Sequence, residues 1–284
     1  MLLVDASNLF YSTAQDFFGN TKEKMTMQSV RHVLTNKLAL VSRDMKKYGK
    51  ERVLAFDDRQ YWRREVFPYY KASRVEMREK SKFDWDAFFE FYGVYKDELR
   101  ENFPFKCIQV RGAEADDVAA VLAPRVAVGE EVCVWSSDTD NLQIQNIDPR
   151  IKQFSYVKKK LITPASEKYN LFDHVVRGDA GDGIPNIYST ADHFVRPEKK
   201  RQKSIMATSV AEWQRHAHEP EKFCSDVMLE RYRQNQVLID YRYIPEDIAA
   251  AIVDAYESAT VPQGKIFGYM VQHKLTRIMQ DGGF

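Results

Sequence analysis

Apolar runs at Met1–Ala6, Arg52–Phe56, Phe105–Val110 and Val132–Ser136 read as buried strands. The intervals between them carry helical spacing. Val30, Val33, Leu34, Leu38, Val41 and Met45 recur with that period from a cap at or beside Thr26 to Tyr48, and Gly49 marks the stop. Asp84–Asn102 predicts another helix, carrying Trp85, Phe88, Phe89 and Tyr92. The run Val118–Ala123 predicts one that opens at Gly112–Asp117. Residues 59–82 are basic and aromatic with Pro68 inside, as in a loop or a broken helix. Ile151, Phe154, Tyr156 and Leu161 alternate around Lys158-Lys159-Lys160 as a hairpin or short strands would. From Pro164 the pattern is mainly helical, interrupted by the glycine-rich Gly178–Pro185. Strands alternating with helices over residues 1–140 predict an α/β fold, with a mostly parallel central sheet and flanking helices, followed by a mainly helical C-terminal region.

In such sheets ligands bind beyond the carboxyl ends of the strands. Asp5, Asp57, Glu114, Asp116, Asp117, Asp138 and Asp140 all fall just past a strand end, and Asp179 and Asp182 follow in the glycine-rich turn. If a helix opens at Glu114, then Glu114 and Asp117 share a face and Asp116 lies to one side. Each motif alone has a plainer reading: a strand-end cap at Asp5, a turn at Asp57-Asp58, an Asx-turn at Asp138-x-Asp140, a loop at Gly178–Pro185. The joint pattern favours a shared site, because four strand ends deliver acids to one edge. Clustered carboxylates cannot all stay ionised without counter-charge. Hard divalent cations with oxygen ligands supply it. No His or Cys accompanies the acids, which disfavours zinc and copper. Two such cations can activate water and stabilise the leaving oxygen of a phosphodiester.

A chain of 284 residues fills one large domain, or a domain with a smaller partner. No apolar stretch is long enough to span a membrane, and the amino terminus lacks a basic region and cleavage site, so a cytosolic setting is expected. Cys107, Cys133 and Cys224 make no C-x-x-C pattern and read as buried reduced thiols. The net charge of +1 is uninformative, but its distribution is not. Residues 59–82 hold eight Lys or Arg against three Glu, and residues 196–203 hold five against one. Separated acidic and basic zones suit an anionic polymer lying over a metal site.

In order and content these motifs resemble the structure-specific 5′-nuclease family of flap endonucleases and polymerase-associated 5′→3′ exonucleases. The residues that carry the resemblance are Val4-Asp5, Ala55-Phe56-Asp57, Glu114-Ala115-Asp116-Asp117, Ser137-Asp138-Thr139-Asp140 and Gly178-Asp179-x-x-Asp182-Gly183-Ile184-Pro185. Tyr61-Trp62-Arg63-Arg64 followed by Tyr69-Tyr70-Lys71 looks like the T-even bacteriophage branch. The resemblance spans roughly residues 1–190 and implies a PIN-like nuclease core over residues 1–185, with a basic helical arch at about 59–104. It implies a DNA-binding helical region over 186–284. It further implies two Mg²⁺ ions, with Mn²⁺ able to substitute. Asp5, Asp57, Glu114 and Asp116 would serve one ion; Asp117, Asp138, Asp140, Asp179 and Asp182 would serve the other. By the same resemblance Lys71 and Arg63 would face the scissile phosphate, and Tyr70 would stack on a terminal base. Arg64, Arg74, Lys199, Lys200 and Arg201 would contact nucleic acid.

The implied substrates are DNA and RNA–DNA duplexes with a 5′ end or flap, cut during RNA primer removal in replication. A monomer in the cytoplasm, the host cytoplasm if phage-encoded, is the expected setting. A sliding clamp or single-strand-binding protein is a candidate partner of the tail Tyr269–Phe284, for which an ordinary packed helix is the plainer reading. The family's usual Gly-Ile-Gly hairpin is missing: the chain reads Pro185-Asn186-Ile187-Tyr188-Ser189-Thr190-Ala191. There a helix N-terminus near Ser189 or Thr190, and the cluster Arg196–Arg201, would replace part of the phosphate grip. Two other readings compete. A haloacid-dehalogenase-like phosphatase would use Asp138-x-Asp140 but should carry that pair on its first strand. A non-cleaving DNA-binding scaffold would have no need of intact acids at all five motifs.

Overall fold

The first apolar run becomes the centre of a six-stranded sheet. In the computed structural model, which describes residues 1–20, 23–48, 51–198, 201–280 and 284, the strands are β1 (Leu2–Asp5), β2 (Arg52–Phe56), β3 (Lys106–Gln109), β4 (Val132–Trp135), β5 (Ile151–Ser155) and β6 (Lys160–Ile162). Their spatial order is β3-β2-β1-β4-β5-β6. All neighbours run parallel except β5 and β6, which close the antiparallel hairpin expected around Lys158–Lys160. The chain works outward from β1 to β3, then crosses back to β4 on the other side of β1. That reversal puts the crevice between the carboxyl ends of β1 and β4.

Helices cover both faces, so the strands are apolar at successive positions rather than alternately. Leu2, Val4, Leu54, Phe56, Cys133 and Trp135 point into one core with α1 (Ala6–Phe18), α2 (Met27–Asp44) and α5 (Trp85–Asn102). Leu3, Val53, Ala55, Val132 and Val134 point into the opposite core with α6 (Ala115–Ala127). Each fully buried Phe or Leu contributes about 1.5–3 kcal/mol. Thr26 caps α2 through a reciprocal pair with Ser29, and the helix ends at Asp44, short of Tyr48. Lys46–Tyr48 form one tighter turn, and Gly49 lies outside the described residues.

The basic segment is a broken helix, as its proline requires: α3 (Trp62–Val66) stops before Pro68, and α4 (Ser73–Glu79) follows. Beyond the hairpin come α7 (Pro164–Glu167), α8 (Leu171–Arg177), α9 (Ala207–Gln214) and α10 (Asp226–Ile239). Then follow α11 (Glu246–Ser258), α12 (Ile266–Gln272) and α13 (Thr276–Gln280). A third core joins Phe67 and Tyr70 to Val175, Val176, Tyr232 and Leu238. The last helices wrap the sheet: Ile252 packs in the α6 core, and Tyr269, Met270, Leu275 and Ile278 pack in the α1–α2 core. The segment after Pro185 contains no helix at Ser189 or Thr190. It folds as turns held by buried Asn186, whose amide donates to Lys203 O at 2.8 Å and whose Oδ1 accepts from Tyr188 N at 3.1 Å. Among the described residues no helix is long and apolar enough to cross a membrane. Cys107, Cys133 and Cys224 are free thiols.

Candidate metal centre and nucleic-acid interface

Asp5 ends β1 and caps α1 at once, accepting Asn8 N at 3.0 Å. Asp57 follows β2 and accepts Ala115 N, at the start of α6, at 2.8 Å. Asp138 follows β4 and accepts Asp140 N at 2.9 Å. Asp116, in the first turn of α6, accepts Asn141 Nδ2 at 2.6 Å. The same Asn141 nitrogen lies 3.4 Å from Ser136 Oγ, which lies 3.4 Å from Asp5 Oδ2. Caps, turns and the candidate site acids are therefore the same residues. Asp5, Asp57, Glu114, Asp116 and Asp138 all line one cavity of about 380 Å³, walled by Asn8, Tyr11 and Gln15 of α1 and by Arg74, Met77 and Arg78 of the broken helix. The Asp138-x-Asp140 pair follows β4, whereas the phosphatase reading needs it on the first strand.

The acids divide by counter-charge. Burial, then Asp57 and Asp138, pushes Asp5 up to about 8. Burial and Asp140 push Asp138 up to about 7, and burial with Asp138 and Asp5 lifts Asp116 well above the usual carboxylate range. Asp57 is also raised, mainly by burial. Among the described residues none of these four forms an ion pair, although the Lys71 charge partly offsets the rise at Asp57. Glu114 is the opposite case. Burial disfavours its charge, but Lys71 and Arg63 outweigh that and hold it at about 2.

Lys71 Nζ bonds Glu114 and lies 3.5 Å from Asp182. Its backbone sits at φ 56°, and its N–H donates to Asp182 O at 2.7 Å, so the arch base is locked to the glycine-rich turn. Gly183, at φ 74°, makes that approach possible, because a Cβ there would lie 3.1 Å from Tyr69 O. Arg74 Nη2 reaches Asp182 Oδ1 at 2.6 Å.

Several expected residues lie elsewhere than anticipated. Arg63 does not face the cavity. Its side chain is 3 % exposed, bonded to Glu114 at 2.8 Å, Asp117 at 2.8 Å and Leu238 O at 2.8 Å. Three buried acceptors fix it there. Asp117 is wholly buried on the far side of that arginine and also accepts Trp62 Nε1 at 3.1 Å and Glu114 N at 2.9 Å, so it does not line the cavity. Tyr70 is not free to stack on a base. Its ring is 3 % exposed in the third core, and its hydroxyl donates to Glu114 at 3.0 Å and Asp182 at 2.8 Å.

Its neighbour Tyr69 is exposed, and Tyr61 lines the cavity together with Tyr11 and Trp85. Arg64 is exposed, with its guanidinium 5.0 Å from the Tyr61 ring. Arg201 is exposed beside Arg177, His193 and Lys203, while Lys199 and Lys200 lie outside the described residues. A histidine does accompany the acids: His174 of α8 places Nδ1 3.1 Å from Asp140 and Nε2 3.5 Å from Asp179. Burial opposes its charge, yet those two carboxylates raise it to about 10, and it in turn keeps Asp179 low. The available signal was its place one helical turn ahead of Gly178-Asp179.

A parallel sheet delivering oxygen ligands to its switch point, under a cationic broken helix, defines a nuclease of the metal-dependent 5′ class. Residues 1–171 match the family model described as 5′-3′ exonuclease, N-terminal resolvase-like domain, and residues 165–281 match that described as T4 RNase H, C terminal. The chain belongs to this 5′→3′ exonuclease family. The ribonuclease H of Enterobacteria phage T4 is 34 % identical over 285 residues, covering 97 % of this chain and 92 % of that protein. Flap endonuclease Xni of Cronobacter sakazakii is 34 % identical over 119 residues, 40 % of this chain and 44 % of that one. Among solved structures, phage T5 5′-exonuclease with bound zinc ions shares the fold at a TM-score of 0.61 and 18 % identity, covering 96 % of this chain and 98 % of that one. A phage T5 flap endonuclease complex with DNA and metal ions gives 0.61 and 17 %, covering 98 % of each chain.

Proposed function

We propose that this chain is a metal-dependent 5′ nuclease that hydrolyses phosphodiester bonds near the 5′ end of RNA–DNA or DNA duplexes and at 5′ flaps, removing RNA primers during DNA replication. One observation carries the reading. Asp5, Asp57, Asp116 and Asp138 converge on one cavity, each raised by burial among like charges, while Lys71 and Arg74 are engaged by Glu114 and Asp182. Buried carboxylates without counter-charge and with only oxygen donors fit a hard dication. Two Mg²⁺ ions, which Mn²⁺ can replace, would be held by Asp5, Asp57, Glu114 and Asp116 and by Asp138, Asp140, Asp179 and Asp182. When bound, they activate water and stabilise the leaving oxygen.

The chain's own residues do the rest. Lys71 and Arg74 hold positive charge at the cavity wall where phosphate charge builds up. Arg63 and Asp117 fix Glu114 in place. Tyr61 and Tyr69 offer faces for unpaired bases. Residues 1–185 carry the chemistry, and residues 186–284 grip duplex phosphates through Arg201 and Lys203, with Arg177 of α8 beside them. The tail buries its apolar face, leaving exposed Phe267 and Val271 for a sliding clamp or single-strand-binding protein. The protein acts as a monomer in the cytoplasm.

The test is a labelled 5′-flap and an RNA–DNA duplex incubated with Mg²⁺, with and without chelator, and p-nitrophenyl phosphate as control. Metal-dependent release of short 5′ products, with affinity falling steeply in salt as phosphate contacts release counterions, is the expected result. Binding without cleavage, or turnover of p-nitrophenyl phosphate alone, refutes it.

A further inference from the structure

His174 is set between two of the expected acids, Asp140 and Asp179. It stands on α8, which Asn170 caps by accepting Asp173 N at 3.1 Å and which Val175 and Val176 anchor in the third core. Tyr169 meets the imidazole edge-on, 5.9 Å away at 90°. The ring is therefore held from both ends rather than free to swing. One ligand atom from each of Asp140, His174 and Asp179 can be chosen so that all lie within 4.8 Å of one another. Ligands around one dication at about 2.1 Å stand at most about 4.2 Å apart, so a small adjustment closes the set. Asp179 is fixed for this, since Gly181 N and Asp182 N donate to its Oδ1 at 2.7 and 3.1 Å.

We propose that His174 is a ligand of the second divalent cation, together with Asp140 and Asp179, making that position a mixed nitrogen–oxygen site. The inference rests on the metal-dependent reading of the cavity and refines it. Imidazole suits Zn²⁺, Cu²⁺, Fe²⁺ and Ni²⁺, whereas carboxylates and water suit Mg²⁺, Ca²⁺ and Mn²⁺; of the last three only Mn²⁺ belongs to the transition series. The second position therefore favours Mn²⁺ over Mg²⁺, while the all-carboxylate first position discriminates less. A simple ion pair between His174 and the two acids makes no such distinction.

The probe is Mn²⁺ alone, added to the full chain stripped of metal and without nucleic acid. Calorimetry counts the ions, and anomalous diffraction at the manganese edge locates them. Two ions are expected, one within bonding distance of a His174 nitrogen and displaced by Mg²⁺ only at higher concentration than the other. His174→Gln keeps a polar side chain of similar reach. It should weaken that one ion by at least about tenfold, the scale seen for lost ligand support, and leave the first unchanged. Two Mn²⁺ ions with His174 uncoordinated, or unaltered binding in His174→Gln, overturn the inference and leave the nuclease reading intact. No Mn²⁺ bound in the cavity at all overturns both.

Discussion

Arg63 offers the sharpest separation of structural from reactive roles. Its guanidinium is buried between Glu114 and Asp117, with a third bond to Leu238 O that ties α3 to the end of α10. Replacing it with Met removes the charge, keeps much of the volume and strands two buried carboxylates. Breaking a buried ion pair from one side costs roughly 3–5 kcal/mol. For a chain of this size each kcal/mol shifts the melting temperature by about 2–4 °C, so Arg63→Met should melt on the order of 6–20 °C lower. Arg63→Lys should fall between, because one ammonium cannot bridge both acids as a planar fork does. Asp117→Asn removes one of the stranded charges. In a double-mutant cycle, Arg63→Met with Asp117→Asn should therefore be less destabilising than the sum of the singles. Calorimetric melting and cleavage of a 5′-flap at 15 °C, below any of these transitions, give the two readouts. Activity should fall only as far as Glu114 is disturbed. An Arg63→Met protein that melts like the parent yet fails to cut would refute the placement and return Arg63 to the reacting phosphate.

Asp138→Asn should abolish cleavage and leave DNA affinity within a few fold; parallel loss of both in cleavage and binding assays would contradict its role. Lys71→Ala should slow single-turnover cleavage more than it raises Kd, since Lys71 faces the cavity yet already engages Glu114 and Asp182. A variant equally impaired in both would count against it. In chelator the melting temperature should fall as pH rises. Asp5 and Asp138 have folded values of about 8 and 7 against an ordinary 3.8, so their contribution is full below about pH 4 and is lost on the way to pH 8. His174, at about 10 against 6.5, adds to the same slope above pH 6.5. Saturating Mg²⁺ should remove most of the decline attributable to the acids, and a flat or rising curve in chelator would be incompatible with it. Gly178→Ala should destabilise the protein by more than about 1–3 kcal/mol in urea melts, because φ is 68° and the new Cβ would lie 2.3 Å from Ile184 O. A neutral outcome would mean the turn carrying Asp179 and Asp182 is placed differently.

The acids were legible because their positions follow from strand periodicity. A residue one or two places past a buried parallel strand has nowhere to go but the sheet's carboxyl edge, and Asp5, Asp57 and Asp138 obey that rule. Adjacent residues of like type were not legible. Arg63-Arg64 and Tyr69-Tyr70 each offer two equal candidates, and only packing against the later helices decides that Arg63 and Tyr70 turn inward. The five-residue α3 is too short to show a periodic face. His174 was missed for a related reason. Its partner Asp140 lies 34 residues before it along the chain, and no local spacing links a helix residue to a turn after β4. Asp117 shares a helix face with Glu114 as expected, but that face meets Arg63 rather than the cavity.

The distribution of counter-charge explains how arch and metal centre depend on each other. Arg63, Lys71 and Arg74 all come from the broken-helix segment that the chain inserts between β2 and β3, and they serve Glu114, Asp117 and Asp182 on the arch side of the site. Asp5, Asp116 and Asp138, at the β1–β4 switch point, receive no such partner and carry the raised values. The protein's own positive charge thus sits on one side of the site, and the acids that would hold ions in the proposed function sit on the other. A phosphodiester drawn against both sides would compete with Glu114 and Asp182 for Lys71 and Arg74. Weakening of those ion pairs on substrate binding is then a requirement of the geometry, since the same ammonium and guanidinium groups cannot satisfy two sets of anions fully.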